Sequence, residues 1–464
     1  MKNIVILAGI GVSVTATTIA LLYVLGPDII LRNGEDGPRL LEPYRQSMGI
    51  ETVAEGLSFP TSMEFIDEDN ILVLEKDHGT VRIVSSWNRT LEKEPLLKLE
   101  VENEAERGLL GIAILRDNNE RNKEYSTSNN DSTNTRSINN ERTPRVFLYF
   151  TEKSENETDR KEQFPRNKVF SYGWNEQNKS LVNSQPILDL PAEPGPYHQG
   201  GKLKIGPAGN LYAIIGDLNT IMGQLQNQGN GTDPNNSSVI LRVNPDNGSP
   251  VKDNPFVGIH GLGMYYAYGI RNSFGIDFDP ITGKLWDTEN GEENYDELNI
   301  VKAGFNSGWA KVMGPANRHN LTAKGSLVMF PGSVYADPVF SWKEQIGVTD
   351  VEFFNSSKLG IEYANNIFVG DINNGNLYYF KINENRTGIH FDGEKNENRY
   401  PTRENIQAGL QQDLVADNKD ELTKVTFGTD FGRVTDIETG PDGFLYILSY
   451  EDGKIYRVVN EISE

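Results

Sequence analysis

The sequence predicts an all-β protein, a six-bladed β-propeller with a transmembrane helix at its N-terminus. Three observations support this prediction. A turn rich in Gly, Asp, Asn or Pro, followed by a short apolar strand, recurs six times along the chain. Tyr (19), Phe (20) and Gly (45) are plentiful while long helical periodicities are scarce, a composition that favours β-structure. The chain also begins with a long apolar stretch.

The six repeated units are residues 67–84, 144–152, 206–217, 279–291, 363–382 and 440–459. Each offers turn chemistry followed by a run of β-branched and aromatic residues. Regular repetition of small antiparallel sheets is typical of propeller blades around an axis. The spacing of roughly 60 to 85 residues exceeds the usual length of a blade, which predicts long loops between strands. Such loops commonly carry function.

The N-terminal segment, residues 1–26, predicts a membrane anchor. No charge occurs from residue 4 to residue 25, about the length that crosses a bilayer. We favour an uncleaved anchor over a cleaved signal peptide because no clear small-x-small cleavage site follows. Lys2 and the amino terminus would remain inside, so that the bulk of the chain is extracellular.

Three further segments follow the anchor. Residues 27–50 resemble a linker, with Gly, Pro and mixed charge. Residues 51–460 form the predicted propeller. Within it, residues 115–145 are polar and lack periodicity, which predicts a disordered surface insert.

The composition limits the possible partners. The net charge of −22 disfavours binding to nucleic acid, because an acidic protein repels a phosphate backbone. It is compatible with hard cations, which prefer oxygen ligands. The absence of cysteine excludes disulfides, thiolate catalysis and thiolate-bound zinc.

Asn-x-Ser/Thr triplets are frequent, and they fit either a glycosylated extracellular surface or chance in an Asn-rich chain. They include Asn88, Asn130, Asn156, Asn178, Asn230, Asn320, Asn355 and Asn385.

His198 is the first candidate for chemistry. It stands in YHQGGKLKIGPAGNLYAIIGD, residues 197–217, before a glycine pair and a predicted inner strand. Gly200 and Gly201 allow the backbone to approach a ligand closely. A residue before an inner strand points towards the central mouth, where a neutral imidazole is a natural general base. A solvated loop histidine is the alternative.

A second candidate region extends from Ala267 to Trp309. Arg271 and Asn272 lie at a turn before a strand, and a dense group of acidic and glycine residues follows the next strand. A loop of this composition suits calcium, and an ordinary solvated acidic turn is the equal alternative. The group comprises Asp287, Glu289, Gly291, Glu292, Glu293, Asp296 and Glu297.

A third segment, NEAERGLLGIAIL, places Glu106 and Arg107 before a glycine-framed apolar strand. Alone it indicates only a charged turn leading into a core strand.

These segments together carry a family resemblance. Five segments occur in this order along the chain: ERGLLGIAI, HQGGKLKIGPAGNLYAIIGD, YGIRNSFGIDFDP, TENGEENYDELNIVKAGFNSGW and GPDGFLYIL. The chain resembles the family of soluble quinoprotein glucose dehydrogenases and aldose sugar dehydrogenases, the glucose/sorbosone dehydrogenase domain, over about residues 51–460. No Rossmann glycine pattern follows a strand, which argues against a nicotinamide enzyme.

The resemblance implies a six-bladed propeller that binds pyrroloquinoline quinone (PQQ) and calcium and oxidises the C1 hydroxyl of a sugar to the lactone. It implies His198 as the base, Arg271 and Asn272 at the quinone, Glu106 near the substrate and Arg433 at a cofactor carboxylate. It further implies four residues of the acidic loop as metal sites. Gly291 and Glu292 would bind the cofactor calcium by their carbonyls, and Asp296 and Glu297 a second calcium.

Two departures from the family pattern weaken this expectation. Asn373 stands where a lysine would contact the cofactor, and Thr435 where a second arginine would. PQQ is a tricarboxylate, so the loss of two cations should weaken its binding. The rival hypothesis is therefore a propeller that has lost the cofactor and binds a protein or glycan. Under the enzymatic hypothesis, electrons leave to an unidentified acceptor.

Overall fold

The computed structural model describes residues 37–116, 143–153, 164–318, 325–391 and 414–460. Across these ranges the chain forms six separate sheets of four to six strands. The first strand of each sheet contacts the first strand of the next, and the sixth contacts the first, so the sheets surround a common axis. The predicted all-β, six-bladed propeller is confirmed.

The strands of the described ranges are numbered in chain order. They are β1 (Arg39–Leu40), β2 (Met48–Glu55), β3 (Pro60–Phe65), β4 (Asn70–Glu75), β5 (Thr80–Ser85), β6 (Thr90–Leu91), β7 (Leu97–Lys98), β8 (Leu109–Leu115), β9 (Arg145–Glu152), β10 (Arg166–Asn175), β11 (Ser180–Pro191), β12 (Leu203–Ile205), β13 (Leu211–Ile215), β14 (Val239–Val243), β15 (Tyr265–Tyr268), β16 (Gly275–Phe278), β17 (Leu285–Glu289), β18 (Asp296–Val301), β19 (Phe305–Asn306), β20 (Phe340–Trp342), β21 (Val348–Phe354), β22 (Asn366–Asp371), β23 (Leu377–Ile382), β24 (Ile389–His390), β25 (Val415–Ala416), β26 (Thr426–Thr429), β27 (Val434–Thr439), β28 (Leu445–Ser449) and β29 (Lys454–Asn460). Helix α1 (Lys419–Val425) precedes β26.

Each sheet is one blade, and its first strand lies innermost. Blade 1 contains β3 to β7, and blade 2 contains β8 to β11. Blade 3 contains β12 to β15 and β19, and blade 4 contains β16 to β18, β20 and β25. Blade 5 contains β21 to β24, β26 and β1, and blade 6 contains β27 to β29 and β2. Pairing is antiparallel except between β15 and β19 and between β20 and β25.

The ring is closed by strands from both ends of the described chain. Strand β2 pairs with β29, from Met48 opposite Asn460 to Glu55 opposite Lys454. Strand β1 pairs with β26 in blade 5. The predicted linker over residues 27–50 therefore needs correction, because residues 39–40 and 48–50 belong to blades. The rest of that segment up to residue 36 lies outside the described residues.

Two other predicted segments fall wholly or mostly outside the described residues. The anchor at residues 1–26 is one of them. In the ranges that the structure does describe, no helix is long and apolar enough to span a bilayer. The other is the insert at residues 115–145. Strand β8 ends at Leu115 and β9 begins at Arg145, and residues 117–142 between them are not described.

The blades are held together by apolar faces on both sides of their strands. In β4 the four residues from Ile71 to Leu74 are completely buried, since one face packs on blade 6 and the other on blade 2. Trp286 and Trp342 fill the layer between blades 4 and 5. Burial on both faces explains why the strands read as continuous apolar runs rather than as an alternation.

Buried charges form ion pairs along the axial channel. Lys202 immediately precedes β12, and its Nζ lies 2.8 Å from Asp350 Oδ1 and 2.6 Å from Asp436 Oδ1. Lys204 Nζ lies 3.0 Å from Asp277 Oδ1. Burial opposes the charge of Lys202, but the two carboxylates outweigh it and raise the pKa of the ammonium group. These ion pairs link blade 3 with blades 4, 5 and 6.

Candidate functional site

The candidate site lies in the loops at one end of the channel, which we call the mouth. All six inner strands begin at this end, and the strands that follow them return to it. Residues that precede an inner strand therefore lie around the same opening. Glu106, His198, Arg271, Asn272 and Arg433 all occupy such positions, before β8, β12, β16 and β27.

His198 forms a short hydrogen bond with a buried aspartate. Its Nδ1 lies 2.6 Å from Oδ1 of Asp217, which follows β13. The aspartate side chain is 1% exposed and that of His198 is 12% exposed. Because a carboxylate accepts, Nδ1 of His198 donates in this bond, and in the neutral imidazole Nε2 then carries the lone pair.

The Asp217 carboxylate is held by further donors. The backbone N–H of Asn219 donates to Oδ1 at 2.8 Å, and the indole Nε1 of Trp309 donates to Oδ2 at 2.7 Å. Both oxygens are therefore satisfied by protein groups. The aspartate can hold the imidazole in one orientation and stabilise it when it gains a second proton.

The glycine pair next to His198 is required by close backbone approach. His198 itself has φ +58°. A Cβ at Gly200 would lie 2.8 Å from the Ile214 carbonyl oxygen, and one at Gly201 would lie 2.6 Å from Cβ of Leu110. This tight packing on β13 and β8 brings the start of β12 back beside Asp217.

Glu106 joins three loops of the mouth through one oxygen. Its Oε2 accepts the backbone N–H of His198 at 2.8 Å and that of Gln199 at 3.2 Å. The same oxygen accepts Nδ2 of Asn272 at 3.1 Å. The carboxylate of Glu106 thus fixes His198 and Asn272 relative to each other.

Arg271 packs on the face of the Trp309 ring, with the carbon of its guanidinium 5.3 Å from the ring centroid. One of its terminal nitrogens, Nη1, donates to the Asn290 carbonyl oxygen at 3.2 Å. Its buried Nε has no partner in the described part of the chain, nor has Oδ1 of Asn272. Two unpaired polar atoms on neighbouring residues mark a place where a ligand with matching groups can bind.

Buried carboxyl groups lie next to Arg271. The backbone N–H of Arg271 donates to Oε1 of Glu289 at 2.7 Å. Burial raises the pKa of Glu289 to about 7, although hydrogen bonds from Ser307 and Arg271 oppose the rise. Burial and the nearby Glu289 carboxylate also raise the pKa of Asp287 and that of Glu297. Burial disfavours the charged form of these carboxyl groups because water cannot solvate their charges.

The acidic loop after β17 is organised by Asp296. Its Oδ1 accepts the backbone N–H of Gly291 at 2.9 Å, and its Oδ2 accepts those of Ile346 at 2.8 Å and Gly347 at 2.7 Å. Burial raises the pKa of Asp296 to about 6 despite these bonds. In this structure the Asp296 carboxylate thus shapes the loop that carries Gly291.

The other predicted calcium residues have protein partners or face solvent. The Gly291 carbonyl oxygen accepts Nε2 of Gln345 at 2.5 Å. Glu292 is exposed. Glu297 accepts the backbone N–H of Gly314 and Nδ2 of Asn299. Among the described residues, no three or more His, Cys, Asp or Glu side chains converge in an arrangement that could hold a metal ion.

Arg433 lies at the mouth but apart from the His198 group. Its backbone carbonyl accepts the N–H of Tyr450 at 2.7 Å, and its Nε lies 3.8 Å from Oε2 of Glu451. No hydrogen bond or ion pair joins it to His198 or Arg271 within the described ranges.

The two departures from the family pattern also lie near the mouth. Asn373 is in the loop between β22 and β23, and Thr435 is the second residue of β27. The backbone N–H of Asn373 donates to the Ile346 carbonyl at 3.2 Å, and Oγ1 of Thr435 donates to the Pro60 carbonyl at 2.9 Å. Thr435 thus pairs with protein and adds no positive charge to the mouth.

Sequence reasoning missed Asp217 and Trp309. Asp217 ends the quoted stretch that begins at Tyr197, and the strand–turn–strand pattern between them predicts that both ends meet. That signal was available. Trp309 lies 92 residues further along the chain, and no local pattern indicates its contact with Asp217.

Comparison with known proteins identifies the family of the chain. A model of the glucose/sorbosone dehydrogenase family matches residues 57–457. Aldose sugar dehydrogenase YliI of Escherichia coli (strain K12) is 27% identical over 276 residues, 56% of this chain and 60% of that protein. Quinoprotein glucose dehydrogenase B of Acinetobacter calcoaceticus is 33% identical over 187 residues, 37% of each chain. The matched regions thus span 60% and 37% of the lengths of these two relatives.

Solved structures show the same fold. The apo form of the soluble aldose sugar dehydrogenase from Escherichia coli superposes with a TM-score of 0.62 at 20% identity, covering 89% of this chain and 100% of that one. The PQQ-bound form of aldose sugar dehydrogenase from Streptomyces coelicolor gives a TM-score of 0.58 at 20% identity, covering 92% of this chain and 100% of that one. With the family model matching most of its length, the chain belongs to the glucose/sorbosone dehydrogenase family.

Proposed function

We propose that this protein is a PQQ-dependent sugar dehydrogenase that oxidises the C1 hydroxyl of an aldose to the lactone. The observation that carries the proposal is the short hydrogen bond between His198 and Asp217 at the mouth of a propeller of this family. It supplies a base with a free Nε2 beside unpaired polar atoms of Arg271 and Asn272. Relatives named as aldose sugar and quinoprotein glucose dehydrogenases support the reaction class.

The residues at the mouth fit the cofactor. Arg271 offers an unpaired buried Nε to an anionic or carbonyl oxygen, and Asn272 offers an unpaired Oδ1 to a donor. Arg433, at the same end of the channel, would pair with a carboxylate of PQQ. When bound, PQQ supplies the two-electron oxidising capacity that protein side chains lack. With Asn373 and Thr435 in place of cations, the affinity for this tricarboxylate is lower than a full set of cations would give.

The part played by His198 follows from its tautomer. Oxidation of an aldose at C1 removes a hydride from carbon and a proton from the hydroxyl group. The free Nε2 of His198 takes that proton, and Asp217 stabilises the resulting imidazolium through Nδ1–H. The guanidinium of Arg271 provides positive charge where negative charge develops on the oxidant. Glu106 keeps His198 and Asn272 in register while this occurs.

The proposal includes a calcium ion bound by backbone carbonyl oxygens. Carbonyl groups of Gly291 and Glu292 are suitable ligands for this hard cation, and a second calcium would involve Asp296 and Glu297. At Gly291 the metal has to displace the amide of Gln345, which donates to the same oxygen.

We also propose that the protein is anchored in a membrane by residues 1–26 with the propeller outside the cell. The apolar N-terminal sequence supports this location. Of the eight triplet asparagines named above, five fall in the described ranges, and all five are exposed: Asn88, Asn178, Asn230, Asn355 and Asn385. An extracellular acceptor that has not been identified would take the electrons.

One experiment tests the function. Full-length protein, purified in detergent, is incubated with PQQ and calcium, and cofactor absorbance and dye reduction are followed with a panel of aldoses. We expect cofactor binding and aldose-dependent dye reduction that is absent without PQQ. Failure to bind PQQ at micromolar concentration refutes the proposal and favours the rival function, a propeller that binds a protein or glycan.

A further inference from the structure

Trp309 is a buried residue that contacts both chemical groups of the mouth. Its side chain is enclosed, with the residue 3% exposed. Its indole N–H donates to Oδ2 of Asp217, and the face of its ring carries the guanidinium of Arg271. Asp217 contacts Arg271 directly through its backbone N–H, which donates to the Arg271 carbonyl oxygen at 2.8 Å. Beyond this pair, Trp309 is the one residue in the described part of the chain whose side chain contacts both Asp217 and Arg271 by a hydrogen bond or ring contact.

We infer that Trp309 is a positioning residue. Its indole N–H orients the Asp217 carboxylate and thereby the base His198, and the face of its ring fixes the guanidinium of Arg271. The inference rests on the proposed function, and it assigns a role to a residue that the sequence comparison left without one.

Both carboxylate oxygens of Asp217 accept hydrogen bonds. Oδ1 receives His198 and the backbone N–H of Asn219, while Oδ2 receives Trp309 alone. A carboxylate held at both oxygens cannot rotate about its Cβ–Cγ bond. Loss of the indole N–H leaves one oxygen of a carboxylate that is 1% exposed without a donor, a costly state in which the group reorients or takes up a proton. Either change weakens the control of the imidazole.

The backbone that carries the indole ring is held by hydrogen bonds. The Trp309 carbonyl oxygen accepts Nδ2 of Asn227 at 2.7 Å, and its backbone N–H donates to the Gly269 carbonyl at 3.2 Å. The next residue, Ala310, donates to the Gln226 carbonyl at 3.0 Å. Two loops of blade 3 thus anchor the tryptophan backbone. A ring fixed in this way is a rigid support, which is what an orienting group requires.

Trp309 also restricts the guanidinium of Arg271. A guanidinium stacked on an aromatic face is attracted by the ring's electron density and loses rotational freedom. Its terminal nitrogen is fixed by Asn290, so the plane over Trp309 and this hydrogen bond together define the direction of Nε. The tryptophan therefore sets the relative geometry of a base and a cation that come from different loops.

The test compares Trp309→Phe with the wild type in the full-length protein. Phenylalanine keeps an aromatic face for Arg271 but lacks the N–H donor. We expect kcat to fall about 10- to 100-fold, the effect of losing a hydrogen bond to a charged group, with KM for the aldose and PQQ affinity within about threefold. Trp87→Phe is the matched control, since Trp87 is 81% exposed, and it should leave all three constants unchanged.

A spectroscopic measurement separates positioning from general damage. In protein labelled with ¹⁵N-histidine and free of cofactor, the Nδ1–H proton of His198 should give a downfield resonance, assigned by its loss in His198→Ala. We expect that resonance to shift or broaden in Trp309→Phe and to persist in Trp87→Phe. If Trp309→Phe fails to fold, the same reading is made with 3-benzothienylalanine at position 309, which keeps the shape of tryptophan but has sulfur in place of N–H.

The outcomes distinguish this inference from the function on which it rests. An unchanged His198 resonance in the variant overturns the positioning role, whatever the change in kcat. A kcat within threefold of wild type overturns it as well. A protein that binds no PQQ and oxidises no aldose refutes the proposed function. The resonance, recorded without cofactor, then still decides whether Trp309 orients the His198–Asp217 pair.

Discussion

Nδ1 of His198 and Oδ1 of Asp217 lie 2.6 Å apart, although each residue belongs to a different loop of blade 3. The contact arises because β12 and β13 form a hairpin, so the residues before the first strand and after the second return to the same end. The imidazole is thereby fixed with Nε2 available.

Replacement of the base should abolish turnover but preserve cofactor binding. In His198→Ala we expect kcat to fall roughly 10²- to 10⁴-fold, the usual contribution of a general base, with PQQ affinity nearly unchanged. The measurement is steady-state dye reduction together with cofactor titration. His260→Ala, which removes an exposed histidine, is the control and should behave as wild type. Unchanged turnover in His198→Ala contradicts the assignment.

Asp217→Asn should be nearly as harmful as loss of the base. The amide keeps the shape of the carboxylate, but it offers an N–H to His198 and cannot stabilise an imidazolium. We expect a fall in kcat of about 10²- to 10⁴-fold with little change in melting temperature. Kinetics and thermal unfolding on the same preparation check this. A variant with wild-type kcat would show that the pair is structural only.

Gln345 should compete with calcium at Gly291. Gln345→Ala removes the amide that donates to the Gly291 carbonyl, which leaves that oxygen available to a metal. Because a neutral hydrogen bond contributes about 1 kcal/mol, we expect calcium affinity to rise roughly fivefold. Calcium titration of PQQ binding measures it. Weaker calcium binding in the variant would place the metal elsewhere.

The buried lysine of the channel should be essential for stability. Lys202→Met leaves Asp350 and Asp436 without their shared cation, and breaking such a buried pair costs about 3 to 5 kcal/mol of unfolding free energy. Lys302→Met removes an exposed lysine as the control and should change stability little. Denaturant unfolding of the full-length protein compares the two. Equal stability of both variants would contradict the buried network.

The carboxyl groups of the channel predict lower stability at alkaline pH. Burial and the nearby Asp277 raise the pKa of Glu352 from its ordinary value of 4.5 to about 8. The folded state therefore holds a proton that the unfolded chain loses near pH 4.5, and this stabilisation is lost as the pH rises from there to 8. Burial also acts on Asp436, but Lys202 outweighs it and lowers the pKa below 3.8, so Asp436 titrates outside this range.

We accordingly expect a smaller unfolding free energy at pH 8 than at pH 5, measured by denaturant titration. In Glu352→Gln, which keeps the oxygen that accepts from Thr439, the dependence on pH should be shallower. An identical slope in the variant and the wild type would assign the effect to other groups.

Much of the fold could be predicted from the sequence, because each blade repeats its own turn and strand signals. The outermost strands could not. Residues 39–40 and 48–50 form edges only because strands β26 and β29 present unpaired backbone groups to them, and these partners lie nearly 400 positions away. Short edge strands carry no alternating pattern of their own, so Pro, Gly and mixed charge in that region indicated a linker.

The candidate site was predictable to the extent that it depends on position in the blade. His198, Arg271 and Glu106 stand before inner strands, and the topology alone brings them to one end. The contacts of Asp217 with Trp309, and of Asp296 with the backbone of Gly291 and Gly347, depend on loop conformation. No periodicity specifies such loops. The density of acidic residues after β17 suggested metal ligands, whereas Asp296 mainly accepts backbone N–H groups.

The pairing of β2 with β29 has a consequence for synthesis in the cell. The sixth sheet needs one strand from the beginning of the propeller and three from its end, so the circle stays incomplete until β29 has been synthesised. Until then the nascent chain presents an open sheet edge to its surroundings. A chain that stops before Lys454 lacks β29, so such truncated products should be cleared by proteolysis rather than accumulate.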